Sequence, residues 1–186
     1  SLEITSQAIQ VHGGMGFIEE TGVAQHFRDA RILPIYEGTT AIQANDLVFR
    51  KTIRDQGKSV NLLFADMLKE LENYKNSENK IVNKSAVTMM EAVSISKETV
   101  DHLIASSNDQ KKSAVSGVNY LMLMGYLCGG WMMSRSASKA AQEIANTNKS
   151  NDFLEAKLVS SDIFMTHLLP KIKSLAESIV KGDESI

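Results

Sequence analysis

The stretch VNLLFADMLKEL, residues 60–71, carries the pattern that decides the fold. Its apolar side chains recur every three or four residues, which places them on one face of an α-helix. The members of this face are Val60, Leu63, Phe64, Met67, Leu68 and Leu71. An apolar helix face has to be covered by other elements, so the stretch predicts a helix that packs in a bundle.

Long helical segments follow this one. After a polar loop at Asn76–Asn79, a helix is predicted from Lys80 to Ser106. A turn at Asn108–Asp109 separates it from the next helix, Lys111 to about Asn148. The last helix is predicted to start with a cap at Asn151–Asp152.

Pro170 should kink or interrupt that last helix, because proline lacks the N–H that the helix requires. Four long helices joined by short polar turns predict an antiparallel four-helix-bundle-like domain over residues 58–186. Gly125, Gly129 and Gly130 form a small-residue face within it. We favour the interpretation that this face lets a neighbouring helix of the same chain approach; a contact between subunits is the alternative.

The composition agrees with an all-α protein. The 186 residues include 2 prolines and 11 glycines, so helix breakers are scarce. The net charge of −2 argues against a nucleic-acid-binding protein. The single cysteine, Cys128, excludes an internal disulfide, and we expect it to be an inert core thiol in a cytoplasmic protein. The most apolar stretch, Val118 to Met133, is shorter than the roughly 20 residues of a membrane span and predicts a buried helix.

Residues 1–57 are predicted to form a separate domain, because their helical stretches are shorter and are interrupted by glycines and a proline. Helices are expected at Leu2–Val11, Val23–Ile32 and Ala41 to about Asp55. Thr40 and Gln43 have the spacing of a capping box, in which the hydroxyl accepts from the Gln43 amide and the glutamine side chain reaches back. The chain opens in a helical stretch, which suggests that it is the C-terminal piece of a longer protein.

The loop PIYEGTTAIQ, residues 34–43, places the carboxylate Glu37 just before a helix N-terminus. Most loop carboxylates are simply solvated. Two features favour a general base: Ile35 and Tyr36 could exclude water, which raises a carboxylate pKa, and the helix start offers amides for an anionic oxygen. A base beside such amides could abstract a proton.

A second motif, QVHGGMGF at residues 10–17, indicates a helix end followed by a loop. His12 lies in this turn, where a structural role is expected. The other histidines, His26, His102 and His167, have no partners at metal-ligand spacing, so we predict no metal site. In FRDAR, residues 27–31, the charged side chains of Arg28, Asp29 and Arg31 are expected to form structural ion pairs.

Taken in order, QVHGGMGF and FRDARILPIYEGTTAIQ resemble the C-terminal signature of acyl-CoA dehydrogenases, over about Ile4 to Arg54. The later motifs IQANDLVFRKT and YLMLMGYLCGGWMM are similar to a bacterial branch with an added helical C-terminal domain. The implied fold is the C-terminal helices of the acyl-CoA dehydrogenase fold followed by that extension.

The resemblance implies that Glu37 is the base that removes the pro-R α-proton of an acyl-CoA thioester, while the β-hydrogen leaves as hydride to FAD to give a trans-2-enoyl-CoA. Its backbone amide would hydrogen-bond the thioester carbonyl. Tyr36 and Gly38 match substrate-contacting positions. Thr39 matches a flavin-contacting position.

Further flavin contacts are implied at Gln10, Gly13 and Gly14, which match a turn that reaches the FAD of a neighbouring subunit. A homo-oligomer and an electron-transfer flavoprotein as electron acceptor follow from the same resemblance. Ala41 departs from the pattern, since many relatives have a polar flavin contact there. The family's N-terminal helical and middle β-domains are also missing, so the chain alone is expected to bind no FAD and to be inactive.

Two other interpretations stay open. An acyl-CoA oxidase shares the fold but would pass electrons to oxygen. A helical oligomerisation or interaction module would use the bundle for assembly and would form a defined oligomer without any ligand.

Overall fold

The computed structural model of the chain describes residues 1–147 and 151–182, and all regular secondary structure within these ranges is helical. This confirms the predicted all-α class. The residues group into two compact units, one of Ser1–Gln43 and one that begins at Ala44. The domain boundary that the sequence suggests at 57/58 stays a prediction.

The first unit consists of short helices joined by tight turns. Helix α1 is confirmed at its predicted bounds, and α3 ends one residue before the predicted Ile32. The elements are α1 (Leu2–Val11), α2 (Gly14–Phe17), a single 3-10 turn (Glu19–Thr21), α3 (Val23–Arg31) and the start of α4 (Thr40–Asn45).

The interior of the first unit is small. Its buried residues are Gly16, Ala24 and Ala30, none of which has a large side chain. Large apolar side chains lie on the surface instead, with Val11 85% exposed and Phe17 79% exposed. Since apolar burial is the main favourable term in folding, this unit gains little stability from its own contacts.

The helix predicted from Ala41 to Asp55 is wrong in type beyond Asn45. Residues Asp46–Ile53 form a π-helix, in which each N–H bonds five residues back. The Thr52 hydroxyl donates to the Leu47 carbonyl at 2.9 Å and lies 3.1 Å from the Tyr120 hydroxyl. Tyr120 is fully buried. The wider turn thus brings the Thr52 hydroxyl to a partner 68 residues away, which local periodicity cannot show.

The second unit continues as the predicted bundle. Its long helices agree with the predicted segments within one or two residues. Asn148, the predicted end of α7, lies outside the described residues. The elements are α5 (Lys58–Lys75), α6 (Lys80–Ala105), α7 (Gln110–Thr147), α8 (Asp152–Ile163), a π-helical turn (Phe164–Leu168) and α9 (Lys171–Gly182).

The ends of the bundle helices follow the sequence signals. The Asn151 side chain accepts from the Leu154 N–H at 3.0 Å and caps α8 as predicted. Pro170 interrupts the last helix: the π-helical turn ends before it with the Leu169 N–H bonded to Phe164 O at 2.9 Å. α9 then starts at Lys171.

The bundle core is large and apolar. The apolar face of residues 60–71 is buried at four of its six positions; Leu63 is partly buried against the core, and Leu68 is 39% exposed. Fully buried side chains from several helices pack together in this core, among them Met67, Leu71, Met89, Leu103, Leu123, Leu127, Ile172 and Ile179. Burial of these apolar side chains is therefore the main source of the bundle's stability.

Two glycines of α7 serve packing within the chain. A Cβ at Gly130 would lie 2.5 Å from the Met89 sulfur, and one at Gly129 would lie 3.0 Å from the Phe164 ring. This agrees with the favoured interpretation of the small-residue face for these two positions. Gly125 differs, because a Cβ there would meet nothing within 4 Å.

A polar network joins α5 to α7 beside the core. Glu70 accepts hydrogen bonds from the Tyr74 hydroxyl at 2.7 Å and from the Trp131 indole N–H at 2.5 Å. Arg135 pairs with the same carboxylate at 3.0 Å and lies over the Trp131 ring. The carboxylate thus satisfies three donors, and its loss would leave them without an acceptor.

Alkaline pH should weaken the fold through two tyrosines. Burial, helped by the Glu70 carboxylate, raises the pKa of Tyr74 to about 12, and burial raises the pKa of Tyr120 to about 12. A raised folded-state pKa contributes stability that is fully present below the unfolded value of about 10 and is lost as the pH approaches 12. We expect the free energy of unfolding, measured with denaturant, to fall across that window and to fall less steeply in Tyr74→Phe. Equal slopes in the two proteins would contradict this assignment.

Among the helices of residues 1–147 and 151–182, none combines the length and the apolar character of a membrane span. Val118 to Met133 lies within α7, with Tyr120, Leu123 and Leu127 buried. Cys128 is half-buried beside the core, and burial raises the pKa of its thiol. This agrees with the expected unreactive core thiol, because the reactive form is the thiolate.

Candidate active site

The loop between α3 and α4 is closed by hydrogen bonds at its base. The N–H of Thr40 donates to the Pro34 carbonyl at 3.2 Å, and its hydroxyl lies 3.5 Å from the same oxygen. The N–H groups of Ile35 and Tyr36 both donate to the Ile32 carbonyl. Residues 34–40 therefore form a compact loop whose two ends are held together.

Glu37 lies in this loop with a left-handed backbone, at φ 57°. Left-handed geometry costs a residue other than glycine about 1–2 kcal/mol, so the surrounding contacts have to hold it in place. Its side chain is exposed. The expectation that Ile35 and Tyr36 exclude water from the Glu37 carboxylate is wrong for this chain. Ile35 is 45% exposed and Tyr36 is 51% exposed.

The capping box predicted from Thr40 and Gln43 is also wrong. The Gln43 side chain does reach back, but its Nε2 donates to the Glu37 carbonyl at 2.6 Å. The Gln43 N–H bonds the Thr39 carbonyl at 3.1 Å, and Thr40 turns its hydroxyl toward Pro34. The spacing correctly indicates that the glutamine side chain reaches back along the chain. Its acceptor is the Glu37 carbonyl, which the left-handed backbone turns toward the glutamine amide.

Gly38 is required by this geometry. Its φ of 103° is one that side chains rarely adopt, and a Cβ would lie 3.1 Å from Gln43 Nε2 and 3.4 Å from a methyl of Ile42. The glycine thus leaves room for the Gln43 side chain to pass. Thr39 follows as an exposed residue immediately before α4.

Main-chain donors remain available around the carboxylate. Within the described residues, no acceptor takes the N–H of Glu37, Gly38 or Thr39. An exposed carboxylate beside free amides can remove a proton while an amide donates to an oxygen of the same ligand. The left-handed Glu37 and the three free amides together are features that the sequence does not reveal.

The second sequence motif forms a separate turn at the end of α1. The expected loop is wrong, since a short helix, Gly14–Phe17, follows the glycine turn at once. Gly16 explains the difference: a Cβ there would lie 2.4 Å from the Ile9 carbonyl oxygen, so only glycine lets this helix pack on α1. The ring Nδ1 of His12 lies 3.0 Å from the Ala8 carbonyl, as expected of a structural histidine.

The residues expected to contact flavin in this turn are all on the surface. Gln10 is exposed, Gly13 has a φ of 59°, and a Cβ at Gly13 or Gly14 would meet nothing within 4 Å. A bare and open backbone fits a ligand that is held mainly by another surface and touched here from one side. Ala41, the departure from the family pattern, is exposed and adds no polar group.

The ion pairs expected of FRDAR are present in part. Arg28 makes a bidentate pair with Glu19, at 2.8 and 2.6 Å, which ties α3 to the 3-10 turn. Both side chains are exposed, so the pair contributes little stability. For Asp29 and Arg31 the described residues offer no ion-pair partner. In the same residues no cluster of His, Cys, Asp or Glu could hold a metal ion.

Two family descriptions match the chain. The one named "Acyl-CoA dehydrogenase, C-terminal domain" matches residues 1–52, and the one named "Acetyl-CoA dehydrogenase C-terminal like" matches residues 63–186. The second covers more than half of the chain. The interval between them contains the turn at Gln56 and Gly57, where α5 starts.

The chain is also similar to individual proteins that are named as acyl-CoA dehydrogenases. A 3-methylmercaptopropionyl-CoA dehydrogenase of Ruegeria pomeroyi is 42% identical over 187 residues, which are 100% of this chain and 32% of that protein. The broad-specificity linear acyl-CoA dehydrogenase FadE5 of Mycobacterium tuberculosis is 29% identical over 97% of this chain and 31% of its own length. The mitochondrial short-chain specific acyl-CoA dehydrogenase of Sus scrofa is 60% identical over 40 residues, 22% of this chain and 10% of its own. The chain thus spans about a third of the length of the first two relatives.

Proposed function

This chain belongs to the acyl-CoA dehydrogenase family, and we propose that it is the C-terminal part of an enzyme that converts an acyl-CoA thioester to its trans-2-enoyl-CoA. The observation that carries the proposal is the loop of residues 34–40. It presents the Glu37 carboxylate on the surface, on a left-handed backbone, beside unpaired main-chain amides.

In this proposal the Glu37 carboxylate takes the pro-R proton from the α-carbon of the thioester. The electron pair of the broken C–H bond forms the new α,β double bond as the β-hydrogen leaves with its electron pair. Bound FAD would supply the acceptor for that hydride. The Glu37 N–H donates to the thioester carbonyl oxygen, which stabilises the enolate-like charge that develops there.

The neighbouring residues bind and orient. Gly38 keeps the loop bare where the substrate passes, and the exposed Tyr36 ring lies beside the acyl chain. Thr39, immediately before α4, would contribute its hydroxyl to the bound flavin. Gln10, Gly13 and Gly14 would contact the flavin of a neighbouring subunit, which would make the intact enzyme a homo-oligomer. We propose that an electron-transfer flavoprotein accepts the electrons from the reduced flavin. We also propose that the enzyme works in a bacterial cytoplasm.

A titration of the intact parent protein tests the activity. Under anaerobic conditions, acyl-CoAs of increasing length should bleach the flavin absorbance, and the length that bleaches at the lowest concentration identifies the substrate. The series includes 3-methylmercaptopropionyl-CoA, which the name of the Ruegeria pomeroyi relative suggests. Absence of bleaching with every thioester would refute the proposed activity. Peroxide formed in air as fast as enoyl-CoA would identify an oxidase instead.

The chain by itself should bind no FAD and show no dehydrogenase activity. The flavin-contacting residues lie on open surface, and the first unit buries only small residues, so neither encloses a cofactor. We expect purified chain, incubated with excess FAD and desalted, to retain far less than one flavin per chain. A stoichiometric flavin spectrum after desalting would contradict the prediction.

The bundle also carries large apolar side chains on its surface, among them Leu62, which is 70% exposed, and Phe153, which is 67% exposed, and such surface is what subunit contacts use. We propose assembly as a second role of residues 58–186. Light scattering on the purified chain without ligand tests it: a defined dimer or larger oligomer supports the role, and a monomer at all accessible concentrations rejects it.

A further inference from the structure

We propose that Gln43 is a positioning residue that fixes the direction of the catalytic carboxylate by holding the main chain of Glu37; this inference rests on the proposed function. Gln43 Nε2 donates to the Glu37 carbonyl at 2.6 Å. Gln43 lies six residues after Glu37, in the first turns of α4. No part of the proposed chemistry uses its side chain directly.

The bond acts on the torsions that aim the carboxylate. The carbonyl of Glu37 and the N–H of Gly38 belong to one planar peptide unit, so fixing the carbonyl fixes both. The Glu37 Cα lies between this unit and the preceding one, and its side chain leaves from that atom. Holding the carbonyl therefore fixes the main-chain geometry from which the carboxylate extends, and leaves only side-chain torsions free.

The bond is also placed where the backbone needs support. Glu37 at φ 57° and Gly38 at φ 103° are consecutive residues with positive φ. The Thr40–Pro34 hydrogen bonds close the base of the loop but do not touch this pair. Gln43 makes the one side-chain hydrogen bond to either residue in the described structure.

The surroundings of Gln43 agree with this role. Its side chain is exposed, so it contributes little to packing. Gly38 leaves it room, because a Cβ at residue 38 would lie 3.1 Å from Nε2. Gln43 itself is anchored through its N–H to the Thr39 carbonyl at 3.1 Å. The Gln43 side-chain amide thus ties α4 directly to the main chain of Glu37.

The test replaces Gln43 by methionine in the intact, flavin-loaded parent protein. Methionine has a similar length and no N–H donor. We expect the rate of flavin reduction at saturating acyl-CoA to fall about tenfold, because small misplacements of a catalytic group are costly. The dissociation constant of a non-reacting acyl-CoA analogue should change less than about threefold, since the bond is not to the ligand.

Amide hydrogen exchange gives a readout that does not depend on turnover. In Gln43→Met, peptides that cover residues 34–43 should exchange faster than in the parent, because the loop opens more often. If Gln43→Met yields no flavin-loaded protein, Gln43→Asn takes its place, since its amide is one methylene too short.

Gln56 supplies a matched control. It is an exposed glutamine whose Nε2 also donates to a main-chain carbonyl, that of Ile53 at 2.9 Å, and it too has a positive φ, 53°. Gln56→Met should leave the reduction rate and the exchange of residues 34–43 unchanged. Equal rates and equal exchange in Gln43→Met and Gln56→Met would overturn the inference.

The parallel variant Glu37→Gln separates this inference from the proposed function. If Glu37→Gln abolishes flavin reduction while Gln43→Met behaves like the control, the positioning role alone is rejected. If flavin reduction survives Glu37→Gln, the base lies elsewhere and both assignments fail.

Discussion

Replacement of Glu37 by glutamine should lower the rate of flavin reduction by acyl-CoA in the intact parent by about 10³-fold. The amide has nearly the shape of the carboxylate but cannot accept the α-proton, and a positioned general base contributes about 10² to 10⁴ in rate. The main-chain N–H of residue 37, proposed to bind the thioester carbonyl, remains. Substrate affinity should therefore be largely retained. Stopped-flow absorbance of the flavin measures the rate.

Glu20→Gln is the control for this variant. Glu20 is an exposed glutamate in the same unit, and the described structure gives it no partner. Its substitution removes one negative charge without touching the loop of residues 34–40. We expect parental reduction rates for it. A Glu37 variant that matches this control would remove Glu37 from the reaction.

Substitution of Glu70 by alanine should destabilise the bundle by about 1–3 kcal/mol, because three donors share this one carboxylate as their acceptor. The Tyr74 hydroxyl and the Trp131 N–H would lose their acceptor, and Arg135 its partner. Leaving part-buried donors unsatisfied costs more than the hydrogen bonds themselves contribute.

Urea unfolding followed by tryptophan fluorescence measures this change well, because Trp131 is the only tryptophan and belongs to the network. Glu72→Ala is the control: Glu72 is on the same helix, is exposed, and makes only a 3.7 Å pair with Lys75. Its loss should cost well under 1 kcal/mol. Similar midpoints for the two variants would show that the network does not stabilise α5 against α7.

The sequence predicts the bundle well because its signals are local. The apolar face of residues 60–71, the Asn151 cap and the Pro170 break each act within a few residues, and the structure contains all three. The π-helix of Asp46–Ile53 could not be predicted in this way. It accompanies the contact of Thr52 with Tyr120, two residues 68 positions apart that only the folded chain brings together.

In the candidate site, too, some features follow from local sequence signals and others depend on the folded structure. Its position, between Pro34 and the start of α4, follows from the sequence. The left-handed backbone at Glu37 does not, because glutamate has no preference for it. The spacing of Gln43 from Thr40 predicts a capping box, but the bond that Gln43 makes is to the Glu37 carbonyl and depends on that backbone. The enclosure expected from Tyr36 also failed, as a ring at a loop surface needs a second surface to exclude water.

The central claim, that Glu37 removes the α-proton, is tested most directly by α-hydrogen exchange in deuterated water. The substrate is an acyl-CoA in which sulfur replaces the β-carbon, so that no hydride can leave and only proton abstraction is observed. With the intact parent we predict deuterium at the α-carbon, detected by mass spectrometry, and with Glu37→Gln none above the uncatalysed level. Equal exchange with both proteins would contradict the claim.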